Sequence, residues 1–486
     1  MSHISRRKVM KGAAWATPVI AASSVVPAYA ASPECTTFSD TPFISINGDN
    51  TRRVEEQEYV HRRYSGVKLR FELIGGAGAT LHGKSTRGGS GAKVTGIIDL
   101  ETPAIVEVVA GGGGMFGLRG YGHGKEEDYS EYRLDGSQGG VGFGDGGSVP
   151  SVRIPQDIMR EVESRWAEAG QWDNSYNPQL PMDELHGCPG GGSSALLVNG
   201  EVIAVAGGGG GGAFIAKTYT TPPNTHHFPG TVNVRMIGPE DLTSGPSYSA
   251  GGSAERARGD NATAGRMYYA QDSRIHLNVE GGKGGGNGIG GAGGIKPMVL
   301  KGTPNRVFSF SSQNNQVIYS SSTAGNPGTG GLQGKGGDGV VSISYQLDNN
   351  EPEDGYQKSN LEVIETPDGD RYEIGYEDVA PYFNGAQIIV SGGGGGGYGG
   401  GGSGAALSQS SITIAQKWNN NPKGVRQSTS YVQLAGSGGA GGSYLAPQVM
   451  EGEMLTSGNA ISNMPYRWAT ESHQGKVSVY LCQTGK

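Results

Sequence analysis

The chain has 486 residues, enough for more than one domain, and 89 of them are glycine, about 18% against a usual ~7%. A formal net charge of −7 with no basic block in the mature part argues against a nucleic-acid or anionic-lipid partner. Three cysteines are too few for a disulfide scaffold, and no Cys/His spacing matches a zinc site.

Residues 1–30 read as an export leader. "SRRKVMK" sets Arg6 beside Arg7, "GAAWATPVIAASSVV" supplies a short apolar middle, and "PAYAAS" places Ala28 and Ala30 at the small-residue positions of an A-x-A cleavage site. A basic head, a brief apolar stretch and a small-residue exit make a signal peptide rather than a spanning helix. The arginine pair resembles a twin-arginine signal, with Val9 and Met10 where that family usually has Phe and Leu. "KGAAWATPVIAAS" is similar to the leaders of actinobacterial surface proteins. The resemblance implies Tat-type export of an already folded chain, a mature start at Ala31, and an extracellular or cell-surface location. No later stretch has the ~20 apolar residues of a membrane span, so no transmembrane segment is expected in the mature chain. "KVSVYLCQTGK" has no LPxTG-like pattern, so secretion or attachment through other molecules is expected.

After an N-terminal extended segment, 31–66, residues 67–347 read as a first glycine-rich unit with insertions at 150–187 and 217–274. Val67, Leu69, Phe71 and Leu73 alternate with Lys68, Arg70 and Glu72, the period of a half-buried strand. "GAGATLHGKST" then matches G-x-x-x-x-G-K-S at Gly78, Gly83, Lys84 and Ser85. A P-loop needs a helix after its Lys-Ser, whereas "TRGGSGAKVTG" has no helical period. The match follows from glycine abundance, and no nucleotide is expected. "YGHGKEEDYSEY" (Tyr121 to Tyr132) reads as a solvated acidic loop ahead of a calcium loop. "PQDIMREVESRWAEAG" is the one helical segment, with Ile158, Val162 and Trp166 on one face, Pro155 at the start and Gly170 at the stop. "VIAVA", Val202 to Ala206, is apolar on both faces and suggests a deeply buried strand. His226-His227 lie in an irregular segment with no third ligand at metal spacing, and "GKGGDGVVS" is a single copy of an RTX-like pattern that needs stacked copies. No metal, cofactor or catalytic residue is assigned.

Residues 348–384 form an acidic connector, in which "LEVIETPDGDRYEIGY" reads as a hairpin around Pro-Asp-Gly-Asp. Residues 385–486 read as a second glycine-rich unit packing on the first, closed by "GKVSVYLCQ" as "GVVSISYQ" closes the first unit. Cys35 and Cys482 lie near opposite ends of the mature chain, and domain termini are often close in space, so a Cys35–Cys482 disulfide is the expected pairing. Cys188 is then free or buried.

One theme recurs along the chain: a strand that runs straight into glycines, as in "LRFELIGGAGA", "IVEVVAGGGGMFG", "VIAVAGGGGGGAF" and "QIIVSGGGGGGYGGGGSG". Gly/Ser tracts are usually flexible linkers, and glycine loses roughly 0.5–1 kcal/mol more than alanine on ordering. Here the runs abut apolar strands, hold almost no serine, and are punctuated by Phe116, Phe214, Tyr398 and Tyr444. A polyproline-II helix of glycine has three residues per turn and no internal hydrogen bonds, so bare runs can bond sideways into a lattice. The G-X-Y period of collagen is missing. An ordered polyglycine core is expected, centred on Gly207, Gly208, Gly209, Gly210, Gly392, Gly393, Gly394 and Gly395.

With "GCPGGGSSALLV" and "AGSGGAGGSYL", these motifs resemble the glycine-rich extracellular domains of anaplastic lymphoma kinase and of many bacterial surface proteins. In glycine-run character they are also similar to phage tail-tip adhesins. The resemblance implies a mainly β fold: short β-strands packed on bundled polyglycine-II helices, with one or two short α-helices in the insertions. It carries no catalytic residues. The expected role is structural or adhesive at the cell surface, without catalysis, with the insertions as the recognising or assembling surface. Cell-envelope components, other surface macromolecules or copies of the chain itself are the expected partners. A self-assembling array or filament subunit and a hydrolase acting on cell-wall polymers remain the alternatives.

Overall fold

The computed structural model describes residues 37–49, 62–64, 67–80, 86–115, 133–134, 136–153, 187–213, 215–220, 233–235, 249–254, 257–262, 265–269, 272–297, 307–308, 316–319, 321–348, 362–365, 371–374, 385–417, 425–460 and 474–483. Among them every regular element is a β-strand and none is a helix. The mainly β reading therefore holds. The segment 155–170, expected to be helical, lies outside the described residues.

Two sheets build the larger core. The first runs Thr37–Phe38, Lys476–Gln483, Val67–Ile74, Ala92–Leu100, Met450–Thr456, with Ile44–Asn47 also paired to Lys476–Gln483. The alternation seen in the sequence does what it implies: Leu69, Phe71 and Leu73 are buried while Arg70 is exposed. The second sheet runs Tyr444–Leu445, Glu201–Ala206, Ser194–Val198, Ala104–Val109, Arg62–Tyr64. Its inner residues Val106, Val108, Leu196 and Ile203 meet Leu69, Phe71, Leu73, Val94, Val477 and Val479 in one apolar cluster. Each large side chain buried there contributes roughly 1.5–3 kcal/mol. Gly96 sits within its strand because a Cβ there would run into Val449 Cγ1 and stand 2.8 Å from Phe71 Cζ, so those side chains fill its space. The Ser194–Val198 and Glu201–Ala206 strands join through Asn199 (φ 52°) and Gly200 (φ 79°), the left-handed pair of a tight hairpin. Asn199 also extends the ladder: its N–H donates to Ile105 O at 2.8 Å, and its Oδ1 accepts from Ile105 N at 2.9 Å.

Two further sheets gather elsewhere along the chain. One runs Asn233–Arg235, Ile215–Thr220, Val425–Ala435, Ala406–Lys417, Val307–Phe308, and the other Gln316–Tyr319, Val341–Asp348, Gly385–Val390. A second, smaller cluster forms where they meet the glycine runs: Ala79, Cys188, Ala213, Val340, Ile389, Ala406 and Ala435. Strands from before and after the acidic segment share sheets, Val425–Ala435 beside Ile215–Thr220 and Lys476–Gln483 beside Val67–Ile74. Within the acidic segment, Glu362–Glu365 pairs antiparallel with Arg371–Ile374.

Glycine runs connect these regions. Residues 207–213 lead from Glu201–Ala206 to Ile215–Thr220, and 436–443 lead back from Val425–Ala435 to Tyr444–Leu445. Other runs go out and return, reversing at Asn287–Gly288, at Gly331 and at Gly399, all with positive φ.

Cys482 is disulfide-bonded, Cys188 is a free buried thiol, and Cys35 lies outside the described residues. Thr37 pairs with Gln483 and Phe38 with Cys482, which brings the chain just after Cys35 alongside Cys482. Non-reducing peptide mapping is expected to return a fragment joining Cys35 to Cys482; a free Cys35 thiol would refute the pairing. Burial pushes the Cys188 thiol up to about 12, so the folded protein keeps its proton where an unfolded thiol, near pH ~8.5, loses it. The sign follows: this contribution to stability is complete below the unfolded value and is lost as pH rises from there through 12. Iodoacetamide at pH 8 is expected to leave Cys188 unmodified in the native protein and to label it fully in guanidinium; native labelling would show the site to be open.

Candidate functional site

The runs themselves form the most distinctive constellation in the molecule, and their geometry is legible residue by residue. Gly208 N donates to Gly396 O and Gly211 N to Gly393 O, both at 2.8 Å, so every third donor goes to the same antiparallel neighbour. Gly209 N donates to Gly76 O at 2.9 Å and Gly212 N to Ala79 O at 3.1 Å, the same step of three toward a parallel neighbour. The remaining pair, Gly207 and Gly210, donate to Ser443 Oγ at 3.1 Å and Gly252 O at 3.0 Å. Acceptance repeats the pattern: Gly208 and Gly211 carbonyls take Gly441 and Gly438, Gly209 and Gly212 take Gly191 and Cys188, Gly207 and Gly210 take Ala92 and Gly89. One run is thus bonded on six sides, and its buried donors and acceptors are all satisfied.

The second expected core run behaves alike. Gly392 and Gly395 donate to Gly436 and Gly439, Gly393 and Gly396 to Cys188 and Gly191, Gly394 and Gly397 to Gly337 and Gly334. The two runs touch directly through the Gly208–Gly396 and Gly211–Gly393 bonds. All eight glycines named in the sequence reading, Gly207 to Gly210 and Gly392 to Gly395, are buried.

Close approach explains the residue type. A Cβ on Gly208, Gly209, Gly210, Gly394 or Gly395 would stand well under 3.0 Å from a backbone carbonyl of the next run, a separation real Cβ atoms do not adopt. The obstacle is backbone, which has no rotamer to change. Among the described glycines, space is open at Gly200, Gly331 and Gly458, on the surface.

Serine has a role that the sequence reading did not assign. Ser193 Oγ accepts from Gly144 N at 2.8 Å, Ser391 Oγ from Val340 N at 2.9 Å, and Ser403 Oγ from Asn326 N at 2.8 Å. These hydroxyls supply acceptors where no carbonyl of a further run is available. Side-chain amides and carboxylates do the same at the margins. Asn459 accepts from Gly91 N and donates to Gly75 O, both at 3.0 Å, Gln474 Oε1 accepts from Gly113 N at 3.0 Å, and Asp338 Oδ1 accepts from Ser148 N at 2.7 Å. The signal was present in the sequence as serines at the ends of runs.

Ionisable groups keep to the margin. Lys335 pairs with Asp338 at 3.0 Å. The Asp145 carboxyl is held above the usual range by desolvation, partly offset by the Gly142 N–H it accepts and by the Lys335 charge. Tyr398 and Tyr444 meet edge to face, centroids 5.0 Å apart, and Tyr398 Cε2 lies 3.1 Å from the place a Gly288 Cβ would take, so the ring closes over bare backbone. Burial raises the Tyr444 hydroxyl first, with Tyr398 and Glu201 adding to it.

Other sequence candidates fall as follows. Arg6, Arg7, Ala28, Ala30, Phe116, Phe214, His226, His227 and the 121–132 loop lie outside the described residues, as do 81–85 of the P-loop match. The described part of that match is committed elsewhere: Thr80 Oγ1 accepts from Gly88 N at 2.9 Å, and Thr86–Arg87 is a strand paired in parallel with Ser249–Ala250. Among the described residues, no three His, Cys, Asp or Glu side chains cluster as metal ligands would, and no helix is long and apolar enough to cross a membrane. No family model matches the chain, and no curated protein matches it.

The geometry separates two kinds of glycine, which a substitution pair can test. Gly210→Ala drives a methyl into Gly438 O and is expected to cost at least about 3 kcal/mol, the upper range for overpacking. Gly200→Ala meets open space and pays only for positive φ, about 1 kcal/mol. Guanidinium melts of the two variants check the ratio; equal losses would mean that the runs give way.

Proposed function

We propose that the glycine runs are bundled polyglycine-II helices and that the protein is an exported cell-surface scaffold with a structural or adhesive role. The supporting observation is the step of three in the bonding of Gly207 to Gly212, shared among neighbours on six sides. Three residues per turn with all backbone groups directed outward is the geometry of a polyproline-II-type helix. A bundle of this kind spans the distance between two β regions with backbone alone, and it resists bending because each rod is tied to several others. Ligand-facing side chains are then confined to turns, outer sheet faces and insertions. Ile289 at 72% exposure and Leu332 at 37% stand at such turns.

The inner runs, 207–212 and 392–397, bond wholly to other runs of the chain and offer no glycine face to a second copy. The open edge at Met450–Thr456 is blunted by a left-handed Glu451 (φ 51°) and by Glu453, devices that discourage strand-to-strand joining.

Two measurements test the reading. Amide exchange at Gly208 to Gly211 should proceed only through global unfolding, as slowly as at Phe71; exchange at loop rates would refute an ordered bundle. Replacing Arg6 and Arg7 together by lysine should retain the protein in the cytoplasm of a Tat-competent host, while continued export would overturn the proposed route.

A further inference from the structure

We infer that the outer face of the first sheet, around Arg70, binds the carboxylate groups of an acidic polysaccharide. The site lies on a different face from the glycine bundle and goes beyond the scaffold reading.

Three strands build it. Leu69, Phe71 and Leu73 point into the core, so Lys68, Arg70 and Glu72 face outward. Tyr480 stands opposite Arg70 in the neighbouring strand, and Phe38 stands opposite Cys482 in the next. The Arg70 guanidinium lies 4.7 Å from the Tyr480 ring centroid and 5.1 Å from that of Phe38. Contacts to two rings hold the guanidinium in place while its in-plane N–H donors reach solvent at the rim. An arginine fixed in this way has already lost much of the rotamer freedom that binding an anion would cost it.

Local acids do not consume those donors. Glu72, the neighbour on the same strand face, binds Lys93 at 2.7 Å, and Asp99 stands opposite Lys68 in register. Among the described residues no carboxylate lies within ion-pair distance of Arg70. A pre-positioned guanidinium matches a carboxylate in a two-point contact.

The surroundings select the kind of molecule that carries it. Four cations on this face, Lys68, Arg70, Lys93 and Lys476, stand among Glu72, Asp99 and Glu453, so formal charge nearly cancels and no basic field forms. Nucleic acid and other polyphosphates need the opposite, many cations in a row. Exposed Ser45 and Asn47, half-buried Thr95, two half-exposed rings and Ile97 opposite Arg70 give this face hydroxyl, amide and apolar surface together. Sugar rings suit it: C–H faces on the aromatics, hydroxyls on the polar side chains, one carboxylate per repeat on Arg70.

Titration of the intact, disulfide-bonded protein with polygalacturonate tests the inference, with its fully methyl-esterified form and poly-glutamate as comparison arms. Binding to polygalacturonate that weakens with salt, is lost on esterification, and exceeds binding to poly-glutamate is the expected result. Arg70→Ala should weaken it at least about tenfold, and Arg70→Lys, which keeps stem and charge but not the planar fork, should fall between. Melting temperatures taken alongside separate lost binding from lost folding, and Arg70→Lys serves as the decisive variant if Arg70→Ala is unstable. Unchanged affinity in a folded Arg70 variant overturns the assignment. Equal binding to poly-glutamate overturns the polysaccharide and points to an acidic protein, and no binding to any of the three overturns the site.

Discussion

The missing Cβ sets the terms for the rest of this molecule. Removing side chains lets backbones approach until each carbonyl sits where a neighbour's methyl would otherwise be. Burial at that distance is tolerable only if every N–H and C=O finds a partner, since an orphaned group costs about 1–3 kcal/mol. The partners come from other runs, in steps of three, and not from the run itself. Order in any one run is therefore a property of its neighbours. Glycine brings the largest entropic loss of any residue, and a solitary run would stay loose. What holds the runs in register is the pair of β regions at which they begin and end. Apolar side chains such as Leu69, Phe71 and Leu196 supply there the driving force that glycine lacks.

Boundaries then become the problem, because the outermost runs leave donors without a further run to meet. The chain solves this with short polar side chains at run margins: Ser193, Ser391, Ser403, Asn459 and Gln474 each receive an N–H that no carbonyl reaches. Rings seal another margin, with Tyr398 lying over Gly288 and against Tyr444. The same logic locates function. Positions such as Gly208 to Gly210 admit no side chain, so outward-facing chemistry falls to turns and to sheet faces such as that of Arg70.

Legibility in the sequence followed side-chain patterning. The strand from Val67 to Leu73 announced itself by alternation, "VIAVA" by continuous apolarity, and burial of the glycine runs by their apolar flanks. Long-range pairing was hidden for the same reason that lets the runs approach. A glycine run carries no pattern of its own, so nothing in "GGGGGG" says that Gly208 bonds Gly396 or that Gly209 bonds Gly76. Neighbours are assigned by the strands, and strand partners such as Val67–Ile74 with Lys476–Gln483 are separated by most of the chain. The Arg70 site shows the same limit. Lys68, Arg70 and Glu72 were visible as an outward face, but Phe38 and Tyr480 join it only through pairing across distant segments.

Such an architecture divides the chain into positions of opposite tolerance. Where a carbonyl fills the place of a Cβ, as at Gly210 and Gly395, no side chain is admissible and no neighbour can yield, because the obstacle is itself a bonded backbone. Where the chain reverses, as at Gly331 beside Leu332, space is open and the positive φ of 95° is what a side chain would have to meet. An interior closed to side chains by neighbouring carbonyls is thus joined to turns where backbone conformation alone limits the residue. The buried backbone groups of Gly207 to Gly212 all find their partners within the chain.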